Sequence, residues 1–292
     1  AIARAEAEQE LTLEDTEALL TARGPELTRL IELADQRRWE RAGDDVTYVV
    51  CRNINYTNVC YFKCGFCAFS KGRLAENLRG PAYLLDVDEV ARRAAEAWSR
   101  GGTEVCLQGG IHPGFTGAWY LDVLRAVKEA QPEIHVHAFS PLEVWQGAAT
   151  MGWTLEEYLT ELRDAGLGSL PGTAAEILDD EVRAVLCPDK VSTDQWLEVV
   201  GTAHRVGLRT TATIMFGHVE RPVHVARHLL RIRDLQRDTG GFTEFVPLPF
   251  IPEEAPIALK GRARYGPTFD ETIALHATAR RSEEHTSELL SH

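Results

Sequence analysis

The sequence predicts an α/β fold, a TIM-like (β/α) barrel that is either partial or full. The first observation is that apolar strand patterns alternate with amphipathic helix patterns, giving six β/α units. The second is that chemically active residue types follow the ends of these strands, as on the carboxyl-terminal face of a TIM barrel. An open doubly wound sheet is the alternative. It is disfavoured because no G-x-G-x-x-G motif follows the first strand.

The part of the chain before the cysteine-rich segment predicts a short N-terminal helical lead followed by two strands. Residues 1–10 are polar and rich in Ala and Glu, which indicates a linker-like segment. Residues 11–43 predict two helices around Gly24-Pro25, because apolar residues recur there at helical spacing. Strands are predicted over residues 46–50 and 53–57, and the second carries the cysteine loop.

After the cysteines the alternation of helices and strands becomes regular. Residues 86–89, 154–157 and 268–271 have capping-box spacing and predict helix starts. The remaining strands should be parallel and joined by right-handed crossovers. They are predicted over residues 103–107, 134–139, 167–170, 208–216 and 242–246.

One barrel domain is therefore predicted over residues 11–280. Residues 281–292 break the preceding pattern, and we expect them to be a non-native tail. On that interpretation the natural chain continues beyond Arg280, and the barrel is C-terminally truncated in this sequence.

Composition excludes several classes of partner. The 292 residues carry a net charge of −13 and have no basic run of the kind that binds a phosphate backbone, which argues against nucleic acid. No apolar stretch approaches the roughly 18 residues that a membrane span needs. Six cysteines without an export signal predict a reducing, cytoplasmic location.

Three of the six cysteines lie within eight residues, as Cys60, Cys64 and Cys67 with the spacing C-x₃-C-x₂-C. Three thiolates on one loop predict an iron–sulfur cluster in which one iron stays open for another ligand. Structural zinc is the alternative, but it needs four closed ligands, and the other cysteines form no second C-x₂-C pair.

Further candidates follow the later strands. His218 and Glu220, at the end of the fifth strand, form a candidate acid–base pair. Glu176 follows the fourth strand and is placed either to bind a ribose or to begin a helix. Residues 244–252 are apolar and rich in proline, which suits a wall for an aromatic substrate or a rigid turn.

With Phe66 as its aromatic residue, the motif C-x₃-C-x-(aromatic)-C resembles the signature of radical S-adenosylmethionine (SAM) enzymes. The resemblance implies a [4Fe-4S] cluster on Cys60, Cys64 and Cys67, whose open iron binds SAM and releases a 5′-deoxyadenosyl radical. It also implies a set of cofactor-binding residues near the strand ends. These are Phe66, Gln108, Gly109, Gly110, Ser140, Glu176 and Lys190.

Two of these assignments have plain alternatives. Gln108-Gly109-Gly110 departs from the usual Gly-Gly-Glu form, because no Glu follows the glycines. The alternative there is a simple tight turn. For Lys190, the alternative is an ordinary surface lysine.

Several loop segments together resemble one family, the 5-amino-6-(D-ribitylamino)uracil–L-tyrosine 4-hydroxyphenyl transferase of deazaflavin coenzyme F(420) biosynthesis. They are residues 53–57, 108–113, 135–141, 171–178, 217–220 and 240–250. The resemblance implies that the radical removes hydrogen from the amino group of L-tyrosine and that the Cα–Cβ bond breaks. The 4-hydroxybenzyl group then adds to C5 of 5-amino-6-(D-ribitylamino)uracil. The implied partners are both substrates, an electron donor, and a second radical SAM subunit or fused module of deazariboflavin synthase.

Two other functions stay open from the sequence. The menaquinone-pathway futalosine enzymes of the same superfamily share the N-I-N-Y-T-N opening. A non-catalytic iron–sulfur protein would hold the cluster without binding SAM. Cys51 stands where the resemblance leads us to expect Asn.

Overall fold

A computed structural model describes residues 1–70 and 81–282. Six strands form one sheet in the order β1-β2-β3-β4-β5-β6, and the first five are joined by parallel pairings. The order follows the sequence throughout, whereas the order of a doubly wound sheet reverses at a switch point. The predicted α/β class with (β/α) barrel order is therefore confirmed. The strands are β1 Cys51–Asn55, β2 Glu104–Gln108, β3 His135–Ala138, β4 Ser169–Leu170, β5 Arg209–Phe216 and β6 Phe242–Pro249.

The chain divides into two compact units. Unit 1 contains residues 1–47, 175–186 and 212 onward, and unit 2 contains residues 48–174 and 187–211. The helices found in the described residues are α1 Ile2–Glu6, α2 Leu13–Leu20, α3 Pro25–Ala42, α4 Val87–Ser99, α5 Gly117–Ala130, α6 Pro141–Met151, α7 Leu155–Asp164, α8 Asp180–Leu186, α9 Thr193–Arg205, α10 Pro222–Thr239, α11 Pro256–Leu259 and α12 Phe269–Ser282.

In unit 2 the sheet has one apolar face. Its side chains belong to a buried core shared with α4, α5, α6, α7 and α9, and they include Ile54, Leu107, Val136 and Leu170. Because side chains alternate across a strand, the intervening residues lie on the opposite face. This one-sided core fixes the strand positions from which the candidate loops begin.

Helix starts agree with the predicted capping boxes. Thr154 and Glu157 exchange reciprocal hydrogen bonds at the start of α7, and residues 268–271 do the same before α12. At residues 86–89 only the aspartate cap is present, with its carboxylate accepting from the Glu89 backbone N–H at 2.8 Å.

In unit 1, α2 and α3 confirm the two predicted N-terminal helices. Residues 1–10 differ from the solvated linker that we expected, because residues 2–6 form α1. Ala5 is buried, and its carbonyl oxygen accepts from Arg281 Nε at 2.8 Å. Apart from its first two residues, which end α12, the predicted tail over 281–292 lies outside the described residues. The domain boundaries stay a prediction.

The prediction of a strand over residues 46–50 is wrong. Val46 and Tyr48 are 88% and 85% exposed, and β1 begins only at Cys51. A segment with an alternating apolar pattern forms a strand only where it can pair with a neighbouring strand and pack its apolar face against a core. The strand predicted over residues 53–57 is placed two residues too late, and the other five differ from the observed ends by at most three residues.

Within the parts of the chain that the structure describes, no helix is long and apolar enough to cross a lipid bilayer.

Candidate active site

The cysteine loop follows β1 in unit 2. The backbone N–H of Cys67 donates to the Cys64 carbonyl oxygen (3.3 Å), so a turn joins these two residues. Burial raises the pKa of the Cys67 thiol, and the nearby Cys60 thiol acts in the same direction. The structure thus brings the three predicted cluster ligands together on one short loop.

The surroundings of Cys67 fit an iron–sulfur cluster. The backbone N–H of Ser70 donates to Cys67 Sγ at 3.4 Å. That hydrogen bond, a second from the Phe69 backbone and the charge of Lys190 all lower the pKa of Cys67 against the effect of burial. These three interactions favour the thiolate, which is the form that binds iron, but burial outweighs them and the pKa of Cys67 is raised on balance. Hydrogen bonds to sulfur are among the interactions that tune iron–sulfur clusters.

Cys51 has the opposite environment. Burial and a hydrogen bond with Glu104 raise the pKa of Cys51 to about 12. Cys51 is the first residue of β1 and lies outside the cysteine loop, and its exclusion from the cluster ligands stays a prediction.

Lys190 lies against the cysteine loop and does not behave as an isolated surface lysine. Its Nζ is 5.4 Å from the centroid of the Phe66 ring, a cation–π contact. The adjacent Asp189 accepts a hydrogen bond from the backbone N–H of Lys63 at 2.9 Å. Two predicted cofactor-binding residues, Phe66 and Lys190, are thereby brought together beside the cysteines.

The Gly109-Gly110 pair is required by close approach of neighbouring atoms. A Cβ on Gly110 would overlap the carbonyl oxygen of Val59 and lie 2.7 Å from its carbon. A Cβ on Gly109 would overlap Cε2 of the Tyr56 ring and lie 2.6 Å from its Cδ2. Neither glycine has a positive φ, so close approach of neighbouring atoms, and not backbone conformation, requires glycine here.

A buried carboxyl group that was not predicted from the sequence, Glu143, contacts this glycine pair. Glu143 is 1% exposed, and its Oε1 accepts hydrogen bonds from the Gly109 N–H (3.2 Å) and from the Tyr56 hydroxyl. Burial raises the pKa of Glu143 to about 8, against the hydrogen bonds from the backbones of Ser140 and Gly109 and the charge of Lys190. Glu143 therefore links the end of β1, the glycine loop and the start of α6.

Ser140 and Gln108 are both engaged with neighbouring residues. The Ser140 hydroxyl and backbone N–H each donate to Glu143 Oε2 at 2.6 Å, which caps α6. Gln108 Oε1 accepts from the Thr173 hydroxyl (2.8 Å), and Gln108 Nε2 donates to Cys106 Sγ (3.2 Å). Their assignment as cofactor contacts stays a prediction.

Glu176 belongs to unit 1, in the turn after β4. Its φ is +47°, a left-handed conformation that is uncommon for residues other than glycine. Its carbonyl oxygen accepts from the Met215 N–H at 2.7 Å, which ties the turn to β5. Such strain is common at ligand-binding turns, although the ribose contact itself stays a prediction.

His218 and Glu220 form the expected pair, in unit 1, at the end of β5. Their side chains are 0% and 4% exposed, and His218 Nδ1 is 3.0 Å from Glu220 Oε2. His218 Nε2 lies 2.9 Å from the Met215 carbonyl oxygen, and Arg264 Nη2 lies 2.9 Å from Glu220 Oε1. Burial raises the pKa of Glu220, but the hydrogen bond and charge of His218 outweigh it and lower the pKa to about 2. Their acid–base role stays a prediction.

The comparison with protein families agrees with this geometry. Residues 54–232 match the profile of the Radical SAM superfamily. The chain belongs to this superfamily. Radical SAM proteins use a [4Fe-4S] cluster together with SAM, and the matched range includes the cysteine loop, the glycine pair, Lys190 and the His218–Glu220 pair.

Two relatives identify the family to which the chain belongs within the radical SAM superfamily. The FO synthase of Streptomyces coelicolor is 53% identical over 92% of this chain, which spans only 31% of that relative. The 5-amino-6-(D-ribitylamino)uracil–L-tyrosine 4-hydroxyphenyl transferase of Methanothermobacter thermautotrophicus is 46% identical over 94% of this chain and 73% of its own length. The chain therefore also belongs to the family of this transferase, as the loop resemblance predicted.

Solved structures support the radical SAM fold. The [FeFe]-hydrogenase maturase HydG aligns with 98% of this chain and 61% of its own chain, with a TM-score of 0.73 and 17% identity. Identity at this level shows a shared fold alone.

Proposed function

We propose that this chain cleaves L-tyrosine between Cα and Cβ and joins the 4-hydroxybenzyl group to 5-amino-6-(D-ribitylamino)uracil. The step belongs to the biosynthesis of 7,8-didemethyl-8-hydroxy-5-deazariboflavin and coenzyme F(420). The observation that carries the proposal is the 46% identity, over 94% of this chain, to a transferase named for these two substrates. The cysteine loop supports it, because its three thiols and hydrogen-bonded sulfur suit the cluster on which such chemistry depends.

In this proposal Cys60, Cys64 and Cys67 would hold a [4Fe-4S] cluster, with SAM bound beside it. When bound, the cluster and SAM would supply the radical chemistry that cleavage of the tyrosine Cα–Cβ bond requires. An electron donor must reduce the cluster. A second radical SAM module is a further proposed partner, because this chain spans only 31% of the length of the Streptomyces coelicolor FO synthase.

The other site residues bind and orient the cofactor and the substrates. Lys190, held over Phe66, offers a positive charge for the SAM carboxylate. Gly109 and Gly110 allow the backbone to approach closely, and Glu143 fixes that backbone from below. Gln108 and Ser140 are the further proposed cofactor contacts in unit 2, and Glu176 is the one proposed in unit 1.

His218 and Glu220 are the proposed acid–base pair for the phenol or amine protons of the substrates. Because the His218 side chain is fully buried and hydrogen-bonded, one of its contacts must open before it can transfer a proton. A catalytic His218 needs such an opening, whereas a histidine that only stabilises the end of β5 does not.

Labelled tyrosine tests the proposed function. The protein would be reconstituted with iron and sulfide without oxygen and given SAM, a reductant, the aminouracil and tyrosine labelled with ¹³C at Cα or at Cβ. We expect a uracil product that carries the tyrosine ring and the Cβ label but not the Cα label. Deoxyadenosine should form efficiently only when both substrates are present, because the fragment must be captured in near-attack geometry.

Two results would contradict the proposal. One is Cα label in the uracil product. The other is turnover on a futalosine-type nucleoside with none on tyrosine. The Cys67→Ala variant serves as the control for chemistry that does not depend on the cluster.

A further inference from the structure

Among the residues that the structure describes in unit 2, the buried hydroxyl of Tyr120 has no hydrogen-bond partner. Tyr120 lies on α5 and is only 2% exposed. A buried polar group that forms no hydrogen bond destabilises the fold, because it has lost its contacts with water and gained none in return. Such groups are rare in native proteins, and a bound group that completes them is one physical reason for their presence.

The ring of Tyr120 is held by other aromatic side chains. Its centroid lies 4.8 Å from that of Phe139, 5.3 Å from that of Trp119 and 6.4 Å from that of Tyr56, in edge-to-face arrangements. Phe139 and Tyr56 are themselves buried. Because these rings pack around Tyr120, its side chain cannot turn outward to reach solvent, and the core sets the position of the hydroxyl.

The glycine pair lies between these aromatic side chains and the first cysteine of the loop. A Cβ on Gly109 would overlap the Tyr56 ring, which packs against Tyr120. A Cβ on the next residue, Gly110, would lie 3.0 Å from the Cβ of Cys60. One glycine therefore contacts the aromatic side chains around Tyr120, and its neighbour contacts Cys60.

Electrostatic interactions also link Tyr120 to the cysteine loop. Burial raises the pKa of Tyr120, and the charges of Tyr61 and Cys60 raise it further. The hydroxyl therefore keeps its proton near pH 7 and can donate a hydrogen bond. An iron–sulfur cluster on the cysteine loop would provide the acceptor, because the sulfur atoms of such clusters accept hydrogen bonds. The buried donor thus fits the cluster that the three cysteines predict.

We propose that the Tyr120 hydroxyl donates a hydrogen bond to sulfur on the Cys60 side of the cluster and raises the reduction potential of the cluster. The inference rests on the cluster of the proposed function, and not on the proposed cleavage of tyrosine. Reduction adds one negative charge to the cluster, so a hydrogen-bond donor stabilises the reduced form more than the oxidised form. Hydrogen bonds to sulfur are among the factors that set such potentials. Tyr120 therefore makes the cluster easier to reduce.

Tyr120→Phe tests the proposal, because it removes the hydroxyl and keeps the ring. Tyr158→Phe is the matched control, since Tyr158 is also buried but its hydroxyl donates to the Gly117 carbonyl oxygen at 3.1 Å. The wild type and both variants are reconstituted with iron and sulfide without oxygen, and iron and sulfide analysis measures the cluster content of each. The midpoint potential is then measured by electron paramagnetic resonance during a reductive titration without SAM.

We expect the midpoint potential of Tyr120→Phe to lie below that of the wild type. At a fixed potential, the ratio of reduced to oxidised cluster should fall about threefold to tenfold, as loss of one hydrogen bond implies. This change is roughly 30–60 mV, at 59 mV per factor of ten. Electron–nuclear double resonance in H₂O and D₂O should show that Tyr120→Phe has lost one exchangeable proton coupled to the reduced cluster. Tyr158→Phe should keep both that coupling and the wild-type potential.

The proposal is overturned if Tyr120→Phe keeps the wild-type potential or loses no proton coupling. It is also overturned if both variants lower the potential equally, because a general disturbance of the core would then explain the shift. In each of these cases the wild type still holds its cluster, and the proposed function stands. If the wild type assembles no cluster, this inference and the proposed function fail together.

Discussion

Replacing Gly110 by Ala should weaken SAM binding far more than its single added methyl group suggests. The new Cβ would overlap the Val59 carbonyl oxygen and lie 3.0 Å from Cys60 Cβ. The nearest obstacle is backbone, which cannot rotate away as a side chain can. Relief must therefore come from a shift of the glycine loop or of the chain that leads into the first cluster cysteine.

The expected magnitude follows from the cost of overpacking, about 1–3 kcal/mol. If loop movement relieves the strain, this energy appears as weaker cofactor binding, on the order of tenfold to a hundredfold at 1.4 kcal/mol per factor of ten. The backbone angle is not at issue, because Gly110 has no positive φ. Gly110→Val should show a larger effect of the same kind.

The assay measures SAM affinity, iron and sulfide content, and the thermal midpoint of the reconstituted protein. Gly114→Ala is the matched control, because its Cβ would meet only the His112 ring, at 3.3 Å. The reasoning is refuted if Gly110→Ala keeps wild-type SAM affinity and cluster content. It is equally refuted if Gly114→Ala loses as much affinity as Gly110→Ala.

Cys67→Ala should lose cluster iron and all deoxyadenosine formation, whereas Cys187→Ser should keep both. Iron and sulfide analysis and chromatography of the products measure these effects. A full cluster in Cys67→Ala would exclude Cys67 as a ligand. Lys190→Met should weaken SAM binding roughly tenfold if the Lys190 ammonium pairs with the SAM carboxylate, because a charged hydrogen bond is worth about 1.5–3 kcal/mol. Lys190→Arg should recover part of the lost affinity. Equal SAM affinities in the wild type and both variants would show that Lys190 contacts Phe66 but not SAM. Glu143→Gln should flatten the dependence of stability on pH, because the pKa of this buried acid is about 8 in the folded protein and 4.5 as its reference value. The unfolded chain releases the proton first, so the wild-type unfolding free energy should fall by several kcal/mol between pH 4.5 and 8, at about 1.4 kcal/mol per pKa unit; denaturant titrations that run parallel for the two proteins would contradict this.

The strands were predicted well from the sequence where the pattern of neighbouring residues alone determines the structure. Alternating apolar residues predict a strand correctly when one face of the strand packs against a core. β2 and β3 were predicted to within one residue at each end. The same pattern misled at residues 46–50, because alternation alone does not indicate whether a neighbouring strand is present. The hydrogen bond from Arg281 to the Ala5 carbonyl oxygen joins residues 276 positions apart, which no local pattern reveals.

In the candidate site, too, local sequence patterns were informative and long-range contacts were not predicted. The spacing of the cysteines is a local signal, and the prediction of the cluster ligands rests on it. Glu143 was missed because its contacts with Tyr56 and Gly109 join residues 87 and 34 positions apart. Its capping-box spacing with Ser140 was visible in the sequence, but that spacing predicts a helix start and not a link to the glycine loop.

The one-sided core of unit 2 has a consequence for how this fold changes over time. Packing on the helix side supplies the apolar burial that holds the strands, so substitutions there cost stability. Residues on the opposite face are absent from that core, so we expect substitutions there to cost less folding stability. A lineage can therefore acquire a new substrate by altering one face of the sheet while the other preserves the architecture. Such separation of the two faces is consistent with a shared fold, at a TM-score of 0.73, between chains that are only 17% identical.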